Sequence, residues 1–164
     1  MIKKPLILCV EDEPEVRDAV LRDLALFKPV ARLEAADNVA EAREVLAASA
    51  AAGESVGLIL CDHLMPGISG VEFLIELQQD PAYADTRKVL ITGQAGLEDT
   101  VRAVNEARLH HYIAKPWTAE ELQATVREQM TEFVLATQDD PTPFIGVLDG
   151  PRILEHIAVT GRDK

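Results

Sequence analysis

Residues 58–70 read LILCDHLMPGISG, and this stretch decides the fold class. A short apolar run that stops at turn residues is typical of a buried strand, so Asp62 is predicted at the carboxyl end of a strand. Pro66, Gly67 and Gly70 belong to the turn that follows. Because a carboxylate is rarely buried without a partner, Asp62 is expected to face a cleft in which it has a chemical task.

Strand-like and helix-like segments alternate on both sides of this stretch. The apolar runs predict five strands, at residues 6–10, 30–35, 57–62, 88–92 and 111–115. Apolar residues at helical spacing follow each run, and the fifth helix opens on a capping box formed by Thr118 and Glu121. This alternation predicts an α/β fold, a doubly wound sheet of five parallel strands with helices on both faces, plus a short C-terminal extension.

Length and composition indicate one domain with a sizeable core and an appendage. The chain has 164 residues, 48% of them hydrophobic, and a formal net charge of -12. This acidity argues against direct binding to nucleic acid or to an anionic membrane surface. No apolar segment suits a membrane span or a signal peptide, so a cytoplasmic location is expected. Cys9 and Cys61 lie in strand-like runs, which favours buried thiols in a reducing compartment over a zinc site.

Polar side chains stand at the ends of four predicted strands. Glu11 and Asp12 follow the first strand, Asp62 ends the third, Thr92 ends the fourth and Lys115 ends the fifth. Such ends gather at one edge of an open parallel sheet. Carboxylates this close need a cation, and all-oxygen ligands suit Mg2+. A lysine and a hydroxyl suit a tetrahedral anion, so the set predicts a phosphoryl-transfer site with Asp62 as the nucleophile.

Each of these residues also has a purely structural explanation. Asp12 or Asp62 alone could cap a helix, Thr92 could be an ordinary cap, and Lys115 could simply end a strand. The joint placement of the set at the ends of four strands favours the chemical interpretation.

Four motifs resemble those of the receiver domain of two-component response regulators, the CheY-like family. They are VEDE at residues 10–13, Asp-x-x-Met-Pro-Gly-x-x-Gly at 62–70, LITG at 90–93 and YIAKPW at 112–117. The resemblance covers about residues 5–135, a pattern-based boundary. It implies a flavodoxin-like (βα)5 fold with strand order 2-1-3-4-5.

The resemblance implies roles on the acceptor side of the cleft. Asp62 would be the phosphoacceptor, taking a phosphoryl group from a histidine kinase or a phosphorelay protein. Asp12 would bind Mg2+, for which Mn2+ could substitute, and Glu11 would act directly or through water. Asp62 and the backbone carbonyl of Leu64 would complete the protein ligands of the metal.

The resemblance also implies a switch. Lys115 would pair with the phosphoryl oxygens, and Thr92 would move to hydrogen-bond them. Tyr112 would turn inward after Thr92; the alternative is a tyrosine at the rim of the core with its hydroxyl in water. The surface of the fourth helix, fifth strand and fifth helix would then change its binding properties.

Four further positions are particular to this chain. Leu64 is predicted to exclude attacking water from the phosphoryl group, and Gln94 is a candidate to orient such water. His63 is expected to be a solvent-facing loop residue. Trp117 is expected either to pack against the base of the fifth helix or to lie exposed.

The receiver pattern predicts a domain at residues 1–136 and leaves residues 137–164 as a linker or extension of unknown role. Residues 139–143 have the composition of a linker, and residues 144–148 form a short apolar run. The extension is too short for a core of its own, so it would dock on the receiver, pair with a second copy or lead into a further domain. A partly ordered linker is the alternative.

Two other functions stay open on the sequence alone. The first is an aspartyl-phosphate phosphatase or phosphotransferase, although haloacid-dehalogenase-like enzymes carry a second aspartate where this chain has Leu64. The second is a receiver that regulates a catalytic domain beyond residue 164. The main interpretation is a non-enzymatic module, limited to Mg-dependent self-phosphorylation and dephosphorylation. Its partners would be a cognate histidine kinase or phosphotransfer protein and an unknown downstream effector, and a homodimer is the further candidate assembly.

Overall fold

A single sheet of five parallel strands forms the centre of the protein. The computed structural model describes residues 3–93 and 96–161, so Gln94 lies outside the described residues. The strands are β1 (Leu6–Val10), β2 (Arg32–Ala36), β3 (Val56–Asp62), β4 (Arg87–Thr92) and β5 (His111–Ala114). Their order in the sheet is β2-β1-β3-β4-β5. The predicted flavodoxin-like topology is confirmed.

Helices surround this sheet. Over the described ranges they are α1 (Pro14–Asp23), α2 (Val39–Ala51), α3 (Gly70–Gln78), α4 (Leu97–Glu106), α5 (Ala119–Thr137) and α6 (Gly150–Gly161). The predicted capping box at α5 is present: the Thr118 hydroxyl accepts from the Glu121 N–H, and the Glu121 carboxylate accepts from the Thr118 N–H. These reciprocal bonds satisfy amides that the first turn of a helix leaves without partners.

The second strand begins two residues later than predicted. The N–H groups of Val30 and Ala31 both donate to the Phe27 carbonyl, which closes a turn after the short 3-10 helix Ala25–Phe27. Val30 and Ala31 are buried in this turn. Their apolar character therefore reflects packing under the sheet rather than strand pairing.

Side chains of the strands alternate between two apolar layers. Leu58 and Leu60 of β3 pack in the layer that α1 and α5 cover, whereas Ile59 and Cys61 pack in the layer that α2, α3 and α4 cover. Asp62 points to the same face of the sheet as Leu58 and Leu60, but it lies at the end of the strand, beyond the apolar core. The alternation thus brings its carboxylate to the carboxyl edge of the sheet.

The C-terminal extension packs against α5 and joins the core beside it. Phe144, Leu148 and Ile153 are buried in the same cluster as the core residues between α5 and the sheet. The Asp149 N–H donates to Thr131 Oγ1 of α5 at 3.1 Å. Among the alternatives that the sequence left open for this segment, the structure shows docking. The division at residue 136 stays a prediction about where the receiver pattern ends.

No helix in the described parts of the chain combines the length and the apolar character that a membrane span requires.

Lys88 is buried at the start of β4, although it is a charged residue. Its side chain is 0% exposed, and Nζ donates to Gln78 Oε1 at 3.0 Å and to the Thr86 carbonyl at 3.2 Å. Burial, reinforced by the charge of Arg87, lowers the pKa of Lys88 to about 8. Its two hydrogen bonds therefore only partly offset the cost of removing the ammonium group from water.

Replacing Lys88 by methionine is expected to raise the free energy of unfolding near neutral pH by about 1 kcal/mol, because the buried charge disappears. The pKa of Lys88 is lower in the folded protein than its ordinary value of about 10.4. Wild-type stability should therefore rise as the pH climbs from about 8 to about 10, and the advantage of the variant should shrink in step.

Urea unfolding near pH 7 and near pH 10 measures this difference. Lys28→Met is the matched control, since Lys28 is exposed. An advantage of Lys88→Met that is equal at both pH values would contradict a buried ammonium group as its cause.

Candidate functional site

The carboxyl edge of the sheet brings together the residues that the sequence predicted there. Lys115 Nζ lies 3.3 Å from Asp62 Oδ2 and 3.3 Å from Glu11 Oε2. Carboxylate oxygens of Glu11, Asp12, Glu13 and Asp62 all lie within 4.8 Å of one another. Four acidic groups therefore meet one ammonium group at this edge.

The side chains of the acidic cluster differ in how far they are exposed to solvent. Glu11 and Asp62 are buried, Asp12 is half-buried and Glu13 is exposed. Sequence reasoning had not assigned Glu13 to the site. Its N–H donates to Glu11 Oε1 at 3.2 Å, and this bond holds the loop after β1 over the cluster. The signal that could have revealed Glu13 was three consecutive acidic residues directly after a buried strand.

The cluster carries more negative charge than Lys115 can neutralise. Burial, and then the charge of Asp62, raise the pKa of Glu11 to about 7. Burial disfavours the ammonium form of Lys115, but the attraction of Asp62 and Glu11 outweighs it and raises the pKa of Lys115. Lys115 is therefore charged at neutral pH, while the carboxylates around it still repel one another.

Asp62 itself offers an unused ligand atom. Its Oδ2 faces Lys115, but Oδ1 is buried and has no hydrogen-bond partner among the described residues. A buried acceptor without a partner is costly. A hard divalent cation bound by oxygen atoms would remove that cost and the repulsion together, so the residues present fit Mg2+.

The turn after β3 is tight because Gly70 lies against Asp62. The Gly70 N–H donates to the His63 carbonyl at 3.0 Å. A Cβ atom on Gly70 would come within 2.0 Å of the Asp62 carbonyl oxygen, so only glycine fits here. Leu64 lies in this turn with its side chain exposed.

His63 contradicts the expectation of a solvent-facing loop residue. Its relative exposure is only 6%, and Nε2 lies 3.1 Å from Asp99 Oδ2 in the first turn of α4. The reason is the alternation along β3, which directs His63 to the same face as Cys61. The beginning of α4 covers that face.

Thr92 and Tyr112 are connected through the backbone. The Tyr112 hydroxyl donates to the Thr92 carbonyl at 2.9 Å, and the Lys115 N–H lies 3.4 Å from the same oxygen. Thr92 is buried and Tyr112 half-buried. The hydroxyl of Tyr112 therefore has a protein partner rather than water alone.

Trp117 packs rather than lying exposed. It is half-buried against the core cluster between the sheet, α1 and α5. With Val16, Ala19 and Lys115 it lines a shallow groove of about 620 Å³. The tryptophan therefore adjoins the lysine of the acidic cluster.

Comparison with known proteins identifies the family. The family model described as response regulator receiver domain matches residues 7–127. The chain belongs to this family. Receivers are signalling domains of two-component systems, and the resemblance drawn from the four sequence motifs is thereby confirmed.

Curated relatives of this receiver include transcriptional regulators that are longer. The hydrogenase transcriptional regulatory protein HoxA of Cupriavidus necator is 37% identical over 126 residues, which are 77% of this chain and 24% of HoxA. The phosphate regulon transcriptional regulatory protein PhoB of Escherichia coli is 32% identical over 76% of this chain and 51% of its own length. This chain therefore spans about half of PhoB and about a quarter of HoxA.

Solved structures share the receiver fold. A CheY-like receiver protein of Methanospirillum hungatei is 26% identical with a TM-score of 0.66, covering 79% of this chain and 96% of its own. The response regulator TrrA of Thermotoga maritima, in complex with Mg2+ and BeF, is 25% identical with a TM-score of 0.61. That match covers 76% of this chain and 98% of TrrA.

Proposed function

We propose that this receiver accepts a phosphoryl group on Asp62 from a histidine kinase or a phosphorelay protein, with Mg2+ bound beside it. The observation that carries the proposal is the buried Asp62 carboxylate, which has Lys115 on one oxygen and no partner among the described residues on the other. The Mg2+–BeF complex of the relative TrrA supports a site for a metal and a phosphoryl mimic in this fold.

The proposed step is an in-line displacement. A carboxylate oxygen of Asp62 forms a bond to phosphorus, and the bond from phosphorus to the donor breaks. The leaving group keeps the electron pair of that bond and takes up a proton, so the product on the protein is an acyl phosphate. The ammonium group of Lys115 offsets the negative charge that builds on the phosphoryl oxygens.

Glu11, Asp12, Asp62 and the backbone carbonyl of Leu64 are the proposed ligands of Mg2+, with Mn2+ as a substitute. Glu13 is close enough to the cluster to contribute through water. The cation, when bound, neutralises the carboxylates and the incoming phosphoryl oxygens.

Thr92, Lys115 and Tyr112 are proposed to convert the chemistry into a surface change. A phosphoryl group brings up to two negative charges and three acceptor oxygens, which the Thr92 hydroxyl and Lys115 would bind. The Tyr112 hydroxyl already donates to the Thr92 carbonyl, so a shift of Thr92 would displace Tyr112 in β5. The readout surface is α4-β5-α5, where Val101 and Val104 are exposed. An effector or a second copy would bind there.

We assign no catalytic turnover of foreign substrates to this chain, because the proposed chemistry ends on its own Asp62. Residues 1–136 would form the receiver proper, and residues 137–164 would extend it. A catalytic or transcriptional output beyond residue 164 stays compatible with the longer relatives, which are transcriptional regulatory proteins. The two buried free cysteines suit the reducing cytoplasm, which is the proposed location.

The test of this function is exposure of the wild type to acetyl phosphate with Mg2+, followed by intact mass and by size-exclusion chromatography. The expected result is a mass gain of one phosphoryl group that a chelator prevents and Mn2+ supports. A shift in size would identify the readout as dimerisation. A wild type that gains no mass with Mg2+ would overturn the proposed function.

Leu64→Asn is expected to shorten the lifetime of the acyl phosphate by about tenfold, because a polar amide would replace an apolar side chain that keeps water from phosphorus. The half-life is followed by intact mass after the phosphodonor is removed. Leu154→Asn is the matched control, since Leu154 is an exposed leucine of α6, outside the turn that carries Leu64. An unchanged half-life in Leu64→Asn would eliminate the shielding role.

A further inference from the structure

The acceptor loop makes a direct contact with α4 that does not pass through Thr92. His63 follows Asp62 in the chain, and its Nε2 lies 3.1 Å from Asp99 Oδ2 in the first turn of α4. The two residues are 36 positions apart in the sequence. This contact therefore ties the turn that carries the phosphoacceptor to the beginning of a helix on the proposed readout surface.

The His63 ring is buried and therefore depends on its hydrogen-bond partner. The ring is almost fully buried, and its other nitrogen, Nδ1, is buried without a hydrogen-bond partner among the described residues. Asp99 is thus the side chain that satisfies the ring in this position. Without Asp99 the ring would lose the side-chain partner that the described residues give it while Nδ1 stays unpaired, which is costly, so the ring would be expected to leave its place.

A movement of the ring cannot leave the loop unchanged. His63 lies between Asp62 and Leu64, and its carbonyl accepts the hydrogen bond from the Gly70 N–H. Gly70 in turn lies against the Asp62 carbonyl with no room for a side chain. Tight packing of this kind transmits small displacements instead of absorbing them.

We infer that His63 and Asp99 form a positioning latch that couples the phosphorylation state of Asp62 to the stability of α4. The inference rests on the proposed function, because the input to the latch is phosphorylation of Asp62. Both residues have a positioning role and take no part in the chemistry. His63 anchors the turn that carries Asp62, and Asp99 anchors the first turn of α4. By linkage, a latch whose strength differs between the two states stabilises one of them at the expense of the other.

Amide hydrogen exchange of residues 100–106, measured with and without acetyl phosphate and Mg2+, tests the latch. In the unphosphorylated protein, His63→Leu is expected to speed exchange in this segment about tenfold, because α4 loses its tie to the loop. Phosphorylation should change exchange in α4 of the wild type, and that change should fall to less than half in the variant. Intact mass measures the extent of phosphorylation in each sample.

Three further variants separate the latch from a general loss of packing. Asp99→Ala should reproduce His63→Leu without disturbing a buried residue, and Asp99→Asn, which can still hydrogen-bond the ring, should restore wild-type exchange. Arg102→Ala is the matched control, because it removes the exposed Arg102–Glu106 pair of the same helix, which does not reach the acceptor loop.

The outcomes distinguish this inference from the proposed function. A wild type that gains no mass overturns the proposed function and the latch with it. A wild type that gains mass, with the exchange of α4 in Asp99→Ala equal to wild type in both states, overturns the latch alone. If Arg102→Ala speeds amide exchange in α4 as much as Asp99→Ala does, the latch is also overturned. The loss of any side-chain contact on α4 would then be enough to explain the faster exchange.

Discussion

Asp62→Asn is expected to abolish the mass gain with acetyl phosphate and Mg2+, and to stabilise the protein when no metal is added. An amide is too weak a nucleophile to form the acyl phosphate, so no phosphorylated product should appear. The same change removes one charge from a cluster of four carboxylates whose oxygens lie within 4.8 Å of one another. Relief of that repulsion should raise the free energy of unfolding by about 1 kcal/mol without metal.

With added Mg2+, the wild type should become more stable than Asp62→Asn. The wild type gains binding energy in its folded state, whereas the variant has lost a ligand and should gain less. Thermal unfolding with a chelator and with Mg2+ measures both effects. Asp18→Asn is the matched control, because Asp18 is an exposed carboxylate of α1 that lies outside the acidic cluster. A variant that still gains one phosphoryl group would show that the acceptor is another residue.

Phe144→Ala is expected to lower the free energy of unfolding by about 3–5 kcal/mol, the usual range when a buried aromatic side chain is truncated. Phe144 is fully buried in the cluster that also holds Phe27 and Phe133. Such a loss would be a large part of the stability of a domain of this size. The extension would then be a structural part of the receiver rather than an appendage.

Urea unfolding monitored by circular dichroism measures the effect of Phe144→Ala. Leu154→Ala is the matched control, since Leu154 is 55% exposed on α6, and its truncation should change stability by less than about 0.5 kcal/mol. Equal, small effects of the two substitutions would show that residues 137–164 contribute nothing to the stability of the rest of the chain.

The sequence predicted those features that depend on local pattern. Each strand is an apolar run that ends at polar or turn residues, and parallel strands bring their carboxyl ends to one edge of the sheet. Asp62, Glu11 and Lys115 were therefore predicted to meet before any distance was known. The bond that anchors α5 at Thr118 was predicted for the same reason, because both partners lie within one turn of the helix.

Features that depend on a distant partner were not predictable. His63 looked like a loop residue because the helix turn that covers it begins more than thirty positions later. Lys88 gave no sign of burial, since its partner Gln78 comes from another element. The apolar residues of the extension, Phe144, Leu148 and Ile153, lie in a 3-10 helix, the turn after it and α6, and the core that they join includes Phe27, which is far away in the sequence.

The position of Trp117 gives the protein an optical reporter of its own. It is the single tryptophan of the chain, and it lines the same groove as Lys115. Indole emission responds to nearby charge and to the polarity around the ring. Selective excitation of tryptophan should therefore follow metal binding and phosphorylation in real time, without a dye or a label. Stopped-flow fluorescence of the unmodified protein could then resolve the order in which the two events occur.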